Sequence, residues 1–147
     1  MTEIIENPRR NWMGVLAKAA PARLAALMPD LPPHALLRGP ETGTVMMRGR
    51  TGATGSPFNL GEMTVTRCSV RLEDGTVGHA WVQGRDKDHA RRAALGDALM
   101  QGSNSATFET VLIRPLRDEA DQRHEERAAK AAATRVEFFT LVRGEDK

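Results

Sequence analysis

The sequence predicts an α+β fold, a single domain over residues 1–147 with a mainly antiparallel sheet and helices packed on it. Three observations carry that reading. Asp74-Gly75 lies between two alternating segments, a strong signal for a tight hairpin. Residues 84–102, "GRDKDHARRAALGDALMQG", are punctuated as a helix, with Asp86 as N-cap and Gly102 as C-terminal stop. A long charge-rich stretch opens at Pro115 and runs to about Ala133 without a breaker.

The remaining elements follow in chain order. Asn7-Pro8 reads as an N-cap with proline in the first helical turn. Trp12, Val15, Leu16 and Ala19 then recur at helical spacing. Pro21 restarts the helix, which carries Leu24, Leu27 and Met28 and ends at "PDLPP". Residues 34–47 read as an extended segment, the turn "GPETG" and a second strand, "TVMMR". A glycine-rich loop follows, then the clearest strand, "EMTVTRCSVRL", residues 62–72. A two-residue turn at Asp74-Gly75 pairs Glu73 with Thr76. Counting outward, it pairs Leu72 with Val77, Val70 with His79 and Cys68 with Trp81 on a core face. The other face would carry Arg67, Ser69 and Arg71 beside the small residues Gly78 and Ala80, allowing close approach of a ligand, a helix or a second chain. The alanine-rich helix 84–102 suggests close packing on the sheet. "FETVLIR", residues 108–114, and the closing "TRVEFFTLVRG" read as strands.

Composition narrows the function classes. At 147 residues the chain can bury a core without disulfides. A net charge of +2 argues against a large nucleic-acid footprint, although a pI near 9.1 leaves room for a local basic patch. The basic residues are 17 Arg against 4 Lys, and Arg offers a planar fork to carboxylates and phosphates. A single cysteine, Cys68, fits a reducing compartment. No long apolar run and no signal-like N-terminus are present, so the expected location is cytoplasmic.

No constellation of catalytic residues is evident. The four histidines lack ligand spacing, so no metal site is expected. Cys68 with His79 could form a thiol–base pair, but a mid-strand position on the core face favours a small packing residue. The feature that needs an explanation is "RGRTGATGSPFNLGE", residues 48–62. It is not a Walker A loop, having no following lysine. It does not lead into a helix, as a dinucleotide-binding turn must. Arg48, Arg50 and, across a turn, Arg67 could hold phosphate through guanidinium forks and backbone N–H groups. The same inventory could equally bind a partner's carboxylates.

The succession "NWMGVLAKA", "RGPETGTVMMRGRTGATGSPFNLGEMTVTRCSVRLEDGTVGHAWVQGRDKDHARRAALGDAL" and "TRVEFFTLVRG" resembles the PhnG family, a subunit of the bacterial carbon–phosphorus lyase core complex, from about Arg10 to Glu145. One position departs from the family's loop: Ala53 stands where a second glycine is usual. If that position needs φ > 0, alanine costs about 1 kcal/mol there.

The resemblance implies a hetero-octamer, two copies each of subunits G, H, I and J. It implies that G, H and I, with the ATPase-like L subunit, convert ATP and an alkylphosphonate to a ribose 1-phosphonate 5-triphosphate with release of adenine. The G subunit has no cofactor of its own. An iron–sulfur cluster with S-adenosylmethionine belongs to the J subunit, and the nucleosidase-like chemistry is placed on subunit I. On this reading the chain is a structural or site-completing subunit of a transferase. Its expected interface residues are Gly49, Gly52, Gly55, Phe58, Asn59, Leu60 and Glu62, because Phe58 and Leu60 are apolar anchors of a kind phosphate loops seldom carry. The alternative is direct phosphate or phosphonate binding through Arg48, Arg50 and Arg67 at a shared active site. A small basic RNA-binding module is weaker still, since aromatics make up only 4% of the chain and Tyr is absent.

Overall fold

The computed structural model describes residues 7–136. Two short helices lead, α1 (Pro8–Lys18) and α2 (Pro21–Leu27). Each opens on proline at its first position, and the Asn7 side chain caps α1 by accepting from the Arg10 amide at 3.3 Å. Three strands follow: β1 (His34–Arg50), β2 (Pro57–Leu72) and β3 (Val77–Gln83). They form one antiparallel sheet in the order β1-β2-β3. Helix α3 (Lys87–Met100) is capped by Asp86, which accepts from the His89 amide at 2.9 Å. A helical tail completes the described chain: α4 (Ser105–Phe108), a π-helical turn (Glu109–Ile113) and α5 (Arg114–Ala133). The α+β class with an antiparallel sheet is as the sequence predicts.

Three local expectations are corrected. "GPETG" is not a turn. β1 runs through it, with register shifts between Leu36 and Arg38 and between Arg38 and Glu41. An edge strand tolerates Pro40 because no neighbour needs its missing N–H. "FETVLIR" is helical, not a strand. There the π-turn and α5 bring Leu112, Ile113 and Leu116 into the core, and burial overrides β propensity. The β2–β3 register is also shifted by one. The connection has three residues: the Leu72 amide donates to Thr76 O, and the Gly75 amide donates to Leu72 O at φ +88. Cys68 therefore pairs with Ala80, Ser69 with His79 and Arg67 with Trp81. Most of the closing strand lies outside the described residues; its first positions, 134–136, are not strand.

The shift decides which face meets the core. Thr66, Cys68 and Val70 of β2, with Gly78, Ala80 and Val82 of β3, are buried. The small residues do admit a close neighbour, and it is α3. A Cβ on Gly78 would lie 2.0 Å from the Ala94 carbonyl oxygen and 2.8 Å from the Ala98 Cβ. Helix α1 crosses α3 with Leu16 filling the space beside Gly96. Past Ala120 every described residue of α5 is exposed, and nothing in the described chain packs on that length.

One carboxylate is sealed inside. Asp97 of α3 is fully buried. Its carboxylate accepts from Arg9 Nε at 3.1 Å and from the second Arg9 nitrogen at 2.8 Å. It also accepts from the Trp12 indole N–H and the His79 backbone N–H, each at 2.9 Å. Replacing Asp97 by Ala strands these donors and should lower stability by about 3 kcal/mol or more. Urea unfolding of the isolated chain measures it; a loss under about 1 kcal/mol would contradict this account.

Candidate functional site

β1 and β2 outrun β3. The last β3 residue to pair, Gln83, lies opposite Val65. β1 and β2 stay paired from Thr44 opposite Thr64 to Arg50 opposite Pro57. Seven residues of β1 thus form a two-stranded arm, about 23 Å long at about 3.3 Å per residue. The glycine-rich stretch is mostly strand, and only its tip is loop.

Each glycine named from sequence has a local task. Gly52 takes φ +60 in the Thr51–Ala53 turn. Gly55 closes it, its amide donating to Thr51 O at 2.9 Å; a Cβ there would fall 2.8 Å from the same oxygen. Gly49 lies opposite Phe58, whose ring covers the bare backbone, with Cζ 3.6 Å from where a Cβ would stand. Ala53 has φ +65, so the departure from the family pattern sits at a position that favours glycine.

The arm is apolar where it meets water. Leu60 is 63% exposed, Met46 51%, Phe58 44% and Met47 43%. Asn59, opposite Arg48, and Glu62, opposite Met46, are exposed too. Among the described residues Glu62 has no ion-pair partner, and neither Arg48 nor Arg50 is paired with it.

The three arginines do not form one cradle. Arg48 and Arg50 share the outer arm, and Arg50 donates to the Gly55 carbonyl at 3.1 Å, bracing the tip. Arg67 lies opposite Glu41, nine residues back along β1, about 30 Å from Arg50 at strand spacing. It donates to Glu41 Oε1 at 2.7 Å, as does Arg38. These hydrogen bonds, Arg38 first, hold the Glu41 carboxyl below the usual carboxylate range. The Arg67 guanidinium also lies 5.5 Å from the Trp81 ring centroid.

Arg67 belongs to a second surface, the open face of the sheet. Here Trp81 is half exposed, and His79 Nδ1 lies 2.8 Å from Ser69 Oγ. Glu41, Val45, Val65, Arg67 and Trp81 line a pocket of ≈ 250 Å³ on this side. Sequence reasoning missed this surface because the one-residue slip assigned His79 and Trp81 to the core. It also removes the thiol–base pair: Cys68 and His79 sit on opposite faces.

Two outcomes follow. Burial pushes the Cys68 thiol up from its ordinary value, so less thiolate is present near neutral pH. Native-state alkylation should be slower than that of a free thiol by a factor of ten or so, becoming fast in urea; rapid native labelling would contradict the burial. Ala53→Gly should relieve the left-handed strain and stabilise the chain by about 1 kcal/mol. A lowered urea midpoint for that variant would refute the strain.

Known proteins place these features in a family. Residues 7–144 match the family described as phosphonate metabolism protein PhnG. A protein of Rhizobium meliloti (strain 1021), named alpha-D-ribose 1-methylphosphonate 5-triphosphate synthase subunit PhnG, is 46% identical over 141 residues, covering 94% of this chain and 90% of that protein. Among the described residues no helix is long and apolar enough to cross a membrane. With the match running across nearly the whole chain, the protein belongs to the PhnG family of phosphonate metabolism proteins.

Proposed function

We propose that this chain is a required, non-catalytic subunit of a ribose 1-methylphosphonate 5-triphosphate synthase, docked mainly on subunit I of an assembly that also holds H and J and works with L. In the reaction a phosphonate oxygen bonds to the ribose anomeric carbon of ATP as the bond to adenine breaks. The triphosphate stays on the 5′ carbon and adenine leaves. This chain supports its partners' chemistry by shape. The arm is the observation that carries the reading. A two-stranded ribbon is marginal in water, and this one leaves Phe58, Leu60, Met46 and Met47 exposed, with Met46 and Met47 on opposite faces. Such side chains are the usual centres of interfaces.

A second reading keeps Arg48 and Arg50 as ligand groups at a shared site. It is favoured by Arg48, which is exposed and without an ion-pair partner among the described residues. Arg67 is too far along the ribbon to join them, and its place in that reading falls away.

Two substitutions separate the readings. Phe58→Ala should weaken assembly with subunit I by about 2 kcal/mol, as truncation of an interface anchor does. Arg50→Ala should reduce adenine release mainly through lost assembly, since its side chain braces the tip. Co-purification and adenine release measure both effects. An intact complex from Phe58→Ala at normal affinity would defeat docking through the arm. Normal assembly of Arg50→Ala with a raised KM for ATP or phosphonate would favour ligand binding.

A further inference from the structure

Among the described residues, the sheet leaves a strand position unfilled beside the arm. β3 runs alongside β2 only as far as Gln83 opposite Val65. The Gly84 amide then donates to Thr64 O at 2.9 Å, and the chain turns away at φ +93. From Pro57 to Met63 the side of β2 facing away from β1 has no neighbouring strand among the described residues. That is seven residues, a strand's length, with one irregularity at Leu60 where the register to β1 slips.

Backbone geometry says which groups point there. In a strand, one residue's N–H and C=O point to the same side, and the side alternates along the chain. The Thr64 carbonyl faces β3, because Gly84 donates to it. Met63 therefore faces β1, opposite Val45, and the N–H and C=O of Glu62 face the empty position. Open edges are commonly protected by lysine, proline, inward charge or a bulge. β2 has no lysine, and its only proline, Pro57, stands at the very start; the ladder to β1 slips by one residue at Leu60, between Gly61 opposite Met47 and Asn59 opposite Arg48, and Glu62 lies on the regular side of that slip. The side chains beside the gap include the exposed Phe58 and Leu60.

We infer that an extended segment of a partner subunit adds to β2 here, occupying the position that β3 vacates, with apolar residues against Phe58 and Leu60 and a basic residue opposite Glu62. This rests on the subunit reading above and gives its docking mode. Backbone hydrogen bonds supply the attachment, and alternate side chains supply the choice of partner. The Glu62 carboxylate, without an ion-pair partner among the described residues, selects a cation. It also argues against a second copy of this chain, since antiparallel self-pairing centred on Glu62 would set two carboxylates face to face.

The test separates the Glu62 backbone from its side chain. Glu62→Pro removes the outward N–H and leaves the β1–β2 ladder its donors; Glu62→Ala removes only the carboxylate. Association with the partner subunits should be at least about tenfold weaker for Glu62→Pro than for Glu62→Ala, the size of one lost, buried hydrogen bond. Equal affinities would overturn strand addition while leaving the subunit reading standing. A wild-type chain that fails to associate would overturn both. Hydrogen exchange gives a readout that needs no variant. The Glu62 amide should exchange freely in the isolated chain and become protected in the assembly. Persistent exchange in the assembly, or protection in the isolated chain through self-pairing, would overturn the inference.

Discussion

A carboxylate with no exposed surface joins the helical layer to the sheet. Asp97 comes from α3, two of its donors from α1 and a third from the backbone of β3. A buried charge is tolerated only when its lone pairs are satisfied. Here the two-nitrogen grip of Arg9, the Trp12 indole and the His79 amide do so together. Their directions leave α1 one orientation on α3 and set α3 along β3. Close packing reinforces this: Gly78 lets the α3 backbone approach the sheet, and Leu16 occupies the groove at Gly96. His89 closes the other end of the contact, its ring donating to the Leu16 carbonyl at 2.9 Å and satisfying an acceptor in the last turns of α1. With α1 and α3 on one side of the sheet, the described residues leave the opposite face and the arm open.

That division of labour bears on the arm's stability. Its root is fixed, since β2 continues into the buried run Thr66, Cys68 and Val70. Its outer part has no helix beneath it among the described residues and relies on cross-strand contacts such as Phe58 over Gly49 and on the Arg50 bond to the tip. A rigid root with a weakly supported outer ribbon keeps the arm aimed while its surface adapts. That suits recognition better than catalysis, which needs groups held within fractions of an ångström.

Much of this was legible in the sequence. Asn7-Pro8, Pro21 and Asp86 announced their helices because capping and proline geometry are local. The alanines of α3 announced close packing. The failures came where a local signal had two structural outcomes. Asp74-Gly75 supports both a two-residue turn and a three-residue turn with a bulge, and one residue of slip exchanges the two faces of the sheet. "GPETG" would be a turn between central strands, but on an edge its proline costs nothing. "FETVLIR" has strand composition and helical burial, and only the position of the core decides. The arm's residues were singled out, but as a loop; the antiparallel alternation of "TVMMRGR" against "PFNLGEM" was the signal available. Asp97 gave no sign, because a lone acid in an alanine-rich helix looks like a solvated one.

The Arg9–Asp97 contact joins residues 88 positions apart. A ribosome adding about 5–20 residues per second takes roughly 4–18 seconds to make that span. Helix α1 therefore leaves the tunnel long before the carboxylate it will grip has been made. Meanwhile Trp12 and Leu16 lack the helix that buries them, whereas β1 and β2 can pair as soon as both are out. The order of synthesis is the reverse of the order of support: the least supported element, the arm, can form first, and the contact that secures the helices must wait for α3.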